Sequence, residues 1–292
     1  MMVYRRKIIL ALLQIFDGEL EKIRFQKLLF LLSKKQQKSE YQFVPYKYGC
    51  FSFSAQADLS TLAKKEIITE SATTLIKNDK LDYIRLLKPE ERTLVYEIKN
   101  LYGRMSSNAL MKHTYINYPY FAINSLVARE VLNEVEYQNV LAHVPEDNDI
   151  ILYTIGYEGV SIEDYLNKLI ISGVKILVDV RRNPVSMKYG FSKNTLKRYC
   201  ESVRIQYLHF PEVGIDSSER QELNTQTDYD NLFKTYSKKL PLVTDTQDKI
   251  INLLLDNKKI ALTCFEADVC QCHRRPLAES LSVRGNLIIK HL

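Results

Sequence analysis

The residue types best able to do chemistry crowd into one run, Cys264-Phe265-Glu266-Ala267-Asp268-Val269-Cys270-Gln271-Cys272-His273-Arg274-Arg275. It holds three of the five cysteines in the chain, together with a histidine and two arginines. Lys259 to Thr263 before it is apolar and β-branched enough for a buried strand. Pro276 to Val283 after it carries leucines at helical spacing. The run is therefore expected to be a strand-to-helix turn, and in an open α/β sheet ligands bind outside the carboxyl ends of strands.

Several chemistries compete for such a turn. A thiol phosphatase wraps one phosphate with a C-x5-R loop, but the first arginine after Cys264 is Arg274, so that spacing fails. Zinc ligation is disfavoured because Cys270, Cys272 and His273 lack C-x2-C or H-x3-H spacing, although a Cys264/Cys270/Cys272/His273 set is conceivable. No metal and no cofactor is assigned. The favoured reading is a phosphate- or sugar-bearing ligand. Arg274 and Arg181 grip it bidentately, and the helix start near His273 adds free amides and a positive dipole end. Glu266 and Glu158 supply a general base or nucleophile, and His273 or His209 carries a proton. Cys264 as a nucleophile with His273 nearby remains open, because alternation along a continuing strand places Cys264 and Glu266 on one side.

These residues need elements to gather them. Ile150 to Ile155 reads as a strand ending at Gly156-Tyr157-Glu158-Gly159, and Ser161 caps a helix from Ile162 to Ile171. Val174 to Val180 is a second strand, followed by Arg181 and Arg182; Lys193 to Val203 is helical, and Ile205 to Phe210 is a third strand. Asp228 to Ser237 and Gln247 to Asp256 read as helices, with closing strands at Ile260 to Thr263 and Asn286 to Ile289. Strand–helix alternation with near-continuous apolar strands predicts a doubly wound, mainly parallel α/β sheet. Topology alone then brings Gly156, Tyr157, Glu158, Arg181, His209, Cys264, Glu266, Cys272, His273 and Arg274 to one edge. The plain structural readings are that Arg181 ties loops through Asp179 or Glu266, and that Tyr157 covers the core.

Six segments carry a family resemblance: Thr154 to Gly159, Val178 to Pro184, Gly190 to Lys193, Tyr207 to Gly214, Cys264 to Glu266, and Cys272 to Arg274. In this order they resemble the family called domain of unknown function 488, over almost all of residues 150–292. The resemblance implies a fold neighbourhood and a motif set, not a reaction.

At 292 residues the chain has room for two domains, and 46% hydrophobic with 26% charged residues is ordinary for a globular protein. There is no tryptophan but there are 19 tyrosines, which suit half-wet surfaces. An odd, unevenly spaced set of cysteines argues against a disulfide framework and for a reducing compartment. A net charge of +6 permits an acidic partner without demanding one. No apolar run approaches membrane-spanning length. The opening Met1 to Leu13 mimics a signal peptide, but it is too short, and Gln14 and Asp17 stand where a cleavage site would be. It is expected to be an amphipathic helix of a cytoplasmic protein.

Residues 1–145 are expected to be mostly helical. Arg5 to Phe16, Ile23 to Leu32 (Lys27, Lys34 and Lys35 outward) and Ala55 to Lys65 read as helices, with Ser52 or Ser54 as a cap. Strands are expected at Ile67 to Ser71 and Leu81 to Leu86, the order of a winged helix, followed by helical stretches at 89–101, 107–111 and 125–137. The aromatic residues at 41–48 are read as packing and interface, and Lys34, Lys35 and Lys38 as a solvated helix end. Phe25 to Phe30, Tyr46 to Gly49 with Phe51-Ser52, Asp58-Leu59 with Leu62, Leu110 to His113 and Tyr118-Pro119-Tyr120 resemble the Panacea antitoxin domain. That resemblance implies a regulatory or partner-binding module. The acidic stretch at 145–149 reads as a linker to a second domain at 148–292. The leading expectation is an enzyme cleaving a glycosidic or phosphoester bond of a nucleotide or nucleic acid, with residues 1–145 recruiting DNA, RNA or a protein partner. The alternative is a non-catalytic, antitoxin-like or transcriptional regulator that senses a phosphorylated ligand.

Overall fold

The computed structural model describes residues 2–145, 148–220 and 223–292. Glu146 and Asp147, in the middle of the expected linker, lie outside the described residues. The chain divides into two compact units, Met1–Val144 and Pro145–Leu292.

In the first unit, α1 (Tyr4–Ile15), β1 (Glu19–Glu21), α2 (Lys22–Lys35), β2 (Val44–Tyr46), β3 (Gly49–Phe51) and α3 (Phe53–Lys64) are followed by β4 (Ile68–Glu70) and β5 (Thr74–Lys77). Helices α4 (Pro89–Tyr102), α5 (Ser107–Asn117), α6 (Ala128–Val131) and α7 (Glu134–Leu141) complete it. Strands β1, β5 and β4 form an antiparallel sheet in that order, and β2 and β3 form a hairpin. Ser52 caps α3 by accepting from the Ala55 amide.

Three expectations need correction here. The second strand after α3 is Thr74–Lys77, not 81–86; Leu75 is buried in the core, while Ile84–Leu86 winds into a 3-10 turn held by Asp82. Helix α1 is not a surface amphipathic helix, because six successive residues from Ile8 to Leu13 are buried, which marks a helix packed on all sides. Lys27 turns inward rather than outward: it is 1% exposed, and its ammonium donates to the carbonyls of Tyr48 and Cys50. Burial lowers its pKa from the ordinary lysine value.

In the second unit, β6 (Ile151–Gly156), α8 (Ile162–Ile171), β7 (Ile176–Asp179), α9 (Lys193–Ser202), β8 (Gln206–His209), α10 (Gln226–Lys239), α11 (Thr244–Asn257), β9 (Lys259–Cys264), α12 (Arg274–Gly285) and β10 (Ile288–His291) alternate as expected. The five strands are all parallel, in the order β10-β6-β9-β7-β8. Every residue of β9 is buried, the mark of a central strand covered on both faces. Leu152, Ile176, Val178, Ile260 and Leu262 pack with Leu254 of α11 and Leu277 and Leu281 of α12. On the opposite face Tyr165 of α8 donates 2.7 Å to Thr263 Oγ1. The unit is thus an α/β layer structure with helices against both faces. From β6 the chain runs outward to β7 and β8, returns to β9 in the middle, and ends at β10 on the other edge. That reversal opens a crevice at the carboxyl ends of β6, β9 and β7.

Candidate functional site

Register fixes which side chains meet at this edge. Gly156 is level with Cys264, Asp179 with Thr263, and Asp179 with His209. The chain leaving β6 must pass close under the loop leaving β9. The amides of Tyr157 and Glu158 both donate to the Phe265 carbonyl, at 3.0 and 2.9 Å. A Cβ on Gly156 would stand 1.9 Å from the Glu266 carbonyl oxygen, so this position has no room for a side chain.

The β7 side of the crevice is a closed polar network. Asp179 is fully buried and takes Arg181 Nε at 2.8 Å and Nη2 at 2.5 Å, together with the hydroxyl of Tyr207 at 2.5 Å. Arg181 Nη1 donates to the Tyr157 hydroxyl at 2.7 Å and to the Phe191 carbonyl at 2.9 Å. Four of its N–H donors are thereby used internally. Burial works against its charge, but the Asp179 carboxylate outweighs burial and raises its pKa. Burial, then the same carboxylate, drives the Tyr207 hydroxyl up. Tyr157 stacks on Phe191 with ring centroids 4.4 Å apart.

The β9 side is built differently. Cys264, Cys272 and His273 are all buried. His273 Nε2 lies 3.0 Å from the Val180 carbonyl oxygen, so Nε2 carries the proton and donates it. Nδ1 is then the bare nitrogen, 3.6 Å from Cys264 Sγ and 4.0 Å from Cys272 Sγ. The Cys264 thiol donates to Glu266 Oε2 at 3.1 Å. Burial, then the neighbouring Cys264, raises the pKa of Cys272 well above the ordinary thiol value.

Between the two sides opens a cleft of about 300 Å³, lined by Tyr157, Arg181, Arg182, Asn183, Ser186, Cys264, Phe265 and His273 among others. The remaining expected site residues stand elsewhere. Arg274 is 2% exposed and binds the carbonyls of Glu266 and Ala267, while its Nε meets no acceptor among the described residues. It therefore clamps the loop after β9. Glu158 is exposed and holds the Ala267 amide at 3.0 Å. His209 bridges Lys193 Nζ and the Arg181 carbonyl, both at 2.9 Å. At the start of α12 the Arg275 amide is bonded to the Cys272 carbonyl and Pro276 has none, so few amides face an anion there. Cys270 is exposed and stands apart from the buried pair.

Residues 161–281 match the family described as domain of unknown function DUF488. This bears out the resemblance read from the sequence over that stretch, which holds β7, β9 and the Cys272-His273-Arg274 turn. No curated protein matches the chain. No helix is long and apolar enough to cross a membrane among the described residues.

Sequence reading caught some partnerships in the DUF488-matching region and missed others. The Asp179–Arg181 pair that the sequence offered as a loop tie is present, and the partner that reading missed is Tyr207, which donates to the same carboxylate. Of the four residues Cys264, Cys270, Cys272 and His273 that the sequence offered as a conceivable set, the structure brings Cys264, Cys272 and His273 together and leaves Cys270 exposed. Arg182, Asn183 and Ser186 on the rim carried no signal, since polar loop residues after a strand are common.

Proposed function

We propose that the second unit is an enzyme that cleaves a glycosidic or phosphoester bond of a nucleotide or nucleic acid in the cleft beside β9. The observation that carries this reading is the Glu266 carboxylate held 3.1 Å from Sγ of the cleft-lining Cys264, with the buried imidazole of His273 3.6 Å from the same sulfur. Glu266 is half-buried beside this thiol, which itself lines the cleft. In that place it suits a general base that takes a proton from attacking water. Arg182, about half exposed, and Asn183 and Ser186 supply the rim with groups that bind phosphate or sugar. Arg181 serves by shaping the wall, because its donors are committed. Phe265, exposed beside the cleft, offers a face on which a base can stack.

The first unit fits a winged-helix-like, Panacea-like module that recruits DNA, RNA or a protein partner. Its support is the order of three helices, with a β2–β3 hairpin between α2 and α3, followed by β4 and β5, with β1 and β4 flanking β5. Turnover of a panel of nucleotides and of single- and double-stranded DNA and RNA, with wild type and Glu266→Gln side by side, tests the catalytic reading. Cleavage by wild type, reduced about 100- to 10,000-fold in Glu266→Gln, is the expected result. Equal cleavage by both proteins removes Glu266 from the mechanism. Absence of cleavage with saturable binding of a phosphorylated ligand favours the antitoxin-like or transcriptional regulator that senses such a ligand. Gel-shift titration across salt checks the partner, because nucleic-acid binding must weaken steeply as salt rises.

A further inference from the structure

The polar groups at the end of β7 are oxygen and nitrogen groups bonded to one another; those at the end of β9 bring soft sulfur and imidazole together. Two buried thiols face Nδ1 of one imidazole. A tetrahedral zinc ion with Zn–S near 2.3 Å and Zn–N near 2.0–2.1 Å requires S···N separations of about 3.5 Å and S···S of about 3.8 Å. Cys264 and Cys272 place their sulfurs 3.6 and 4.0 Å from His273 Nδ1, and all three ligand atoms lie within 4.8 Å of one another. Small side-chain adjustments bring that set onto one ion.

We propose that Cys264, Cys272 and His273 bind one Zn²⁺ ion, with its fourth position open to the cleft. The proposal rests on the reading of this cleft as the working site. Three features support it beyond the distances. Thiolate and imidazole are the ligands that favour zinc over magnesium or calcium. His273 donates its other nitrogen to a backbone carbonyl, the outer contact that fixes a zinc-binding imidazole. Cys264 and His273 both line the cleft, so a water in the fourth position faces substrate space. Three protein ligands with one open position is the arrangement of a catalytic rather than a structural zinc. Binding takes one proton from each thiol, and two thiolates with a neutral imidazole balance the charge of the ion. Glu266, beside Cys264 but outside the ligand set, is placed to receive a proton from zinc-held water.

The test uses the full chain purified without chelator. Elemental analysis is expected to give one zinc per chain, and Co²⁺ exchange a thiolate-to-cobalt charge-transfer band. Cys272→Ser and His273→Ala should lose both signals, while Cys270→Ser and Glu266→Gln keep them. A second readout covers variants that fail to fold: in wild-type protein, added Zn²⁺ should block alkylation of Cys264 and Cys272 and leave Cys270 reactive, as mapped by mass spectrometry. Metal-free wild type that also fails to take up Zn²⁺ or Co²⁺, or a Cys264–Cys272 disulfide in freshly prepared protein, overturns the proposal. The outcome separates from that of the function above. Bound zinc without nucleotide turnover sinks the substrate reading alone, and undiminished turnover by zinc-free protein sinks the zinc site alone.

Discussion

The two sides of the cleft use buried polar residues to opposite ends. At β7, Asp179, Arg181, Tyr157 and Tyr207 saturate one another's hydrogen bonds in an interior where an unpaired charge is costly. At β9, Cys264, Cys272 and His273 are equally buried but make long contacts through soft sulfur, with the half-buried Glu266 carboxylate beside Cys264. The first arrangement holds shape. The second brings an imidazole, two thiols and a carboxylate within reach of one another. Charge at a sheet edge is therefore no guide to reactivity until its partners are counted.

Breaking the β7 side should hurt folding most. Asp179→Ala strands the Arg181 guanidinium and is expected to cost about 3–5 kcal/mol in chemical denaturation; a loss below about 1 kcal/mol would mean that the network is not structural. Gly156→Ala comes next. Its Cβ meets the Glu266 carbonyl oxygen, so the loop after β9 must shift, with a loss of about 1–3 kcal/mol and a larger fall in any cleft activity than in stability. Tyr207→Phe removes one hydrogen bond to a buried carboxylate that keeps its arginine, and about 1–2 kcal/mol should disappear.

The smallest effect concerns His291, a histidine at the other edge of the sheet. Its Nδ1 lies 2.7 Å from Thr154 Oγ1, and burial, then the charges of Arg274 and Arg275, lower its pKa. The unfolded chain takes up a proton at a pH where the folded chain does not, so stability should decline as pH falls below the ordinary imidazole value. His291→Gln should flatten that slope in a melting series against pH. An unchanged slope would assign it to another group.

The strand–helix alternation and its carboxyl edge were legible in the sequence, because apolar strands and capped helices such as Ser161 to Ile171 are local signals. Burial of cations was not. Lys27 and Arg274 sit at helical positions that suit solvent, and only tertiary contacts with backbone carbonyls draw them inside. The residues gathered at this sheet edge were legible as a set, and most of their partnerships were not. Glu158 and Arg274 reach the same edge as Glu266, yet both are spent on the backbone of the loop after β9. A returning loop assembles Cys264, Cys272 and His273, three of the four residues that the sequence offered as a conceivable metal set.

The division of labour between the two sides is tested most directly by measuring melting temperature and substrate turnover together in Tyr207→Phe and Glu266→Gln. The account predicts a lower melting temperature with most turnover kept in the tyrosine variant, and an unchanged melting temperature with turnover lost in the glutamate variant. Turnover that survives Glu266→Gln, or that vanishes in Tyr207→Phe while the fold keeps its full stability, would contradict it.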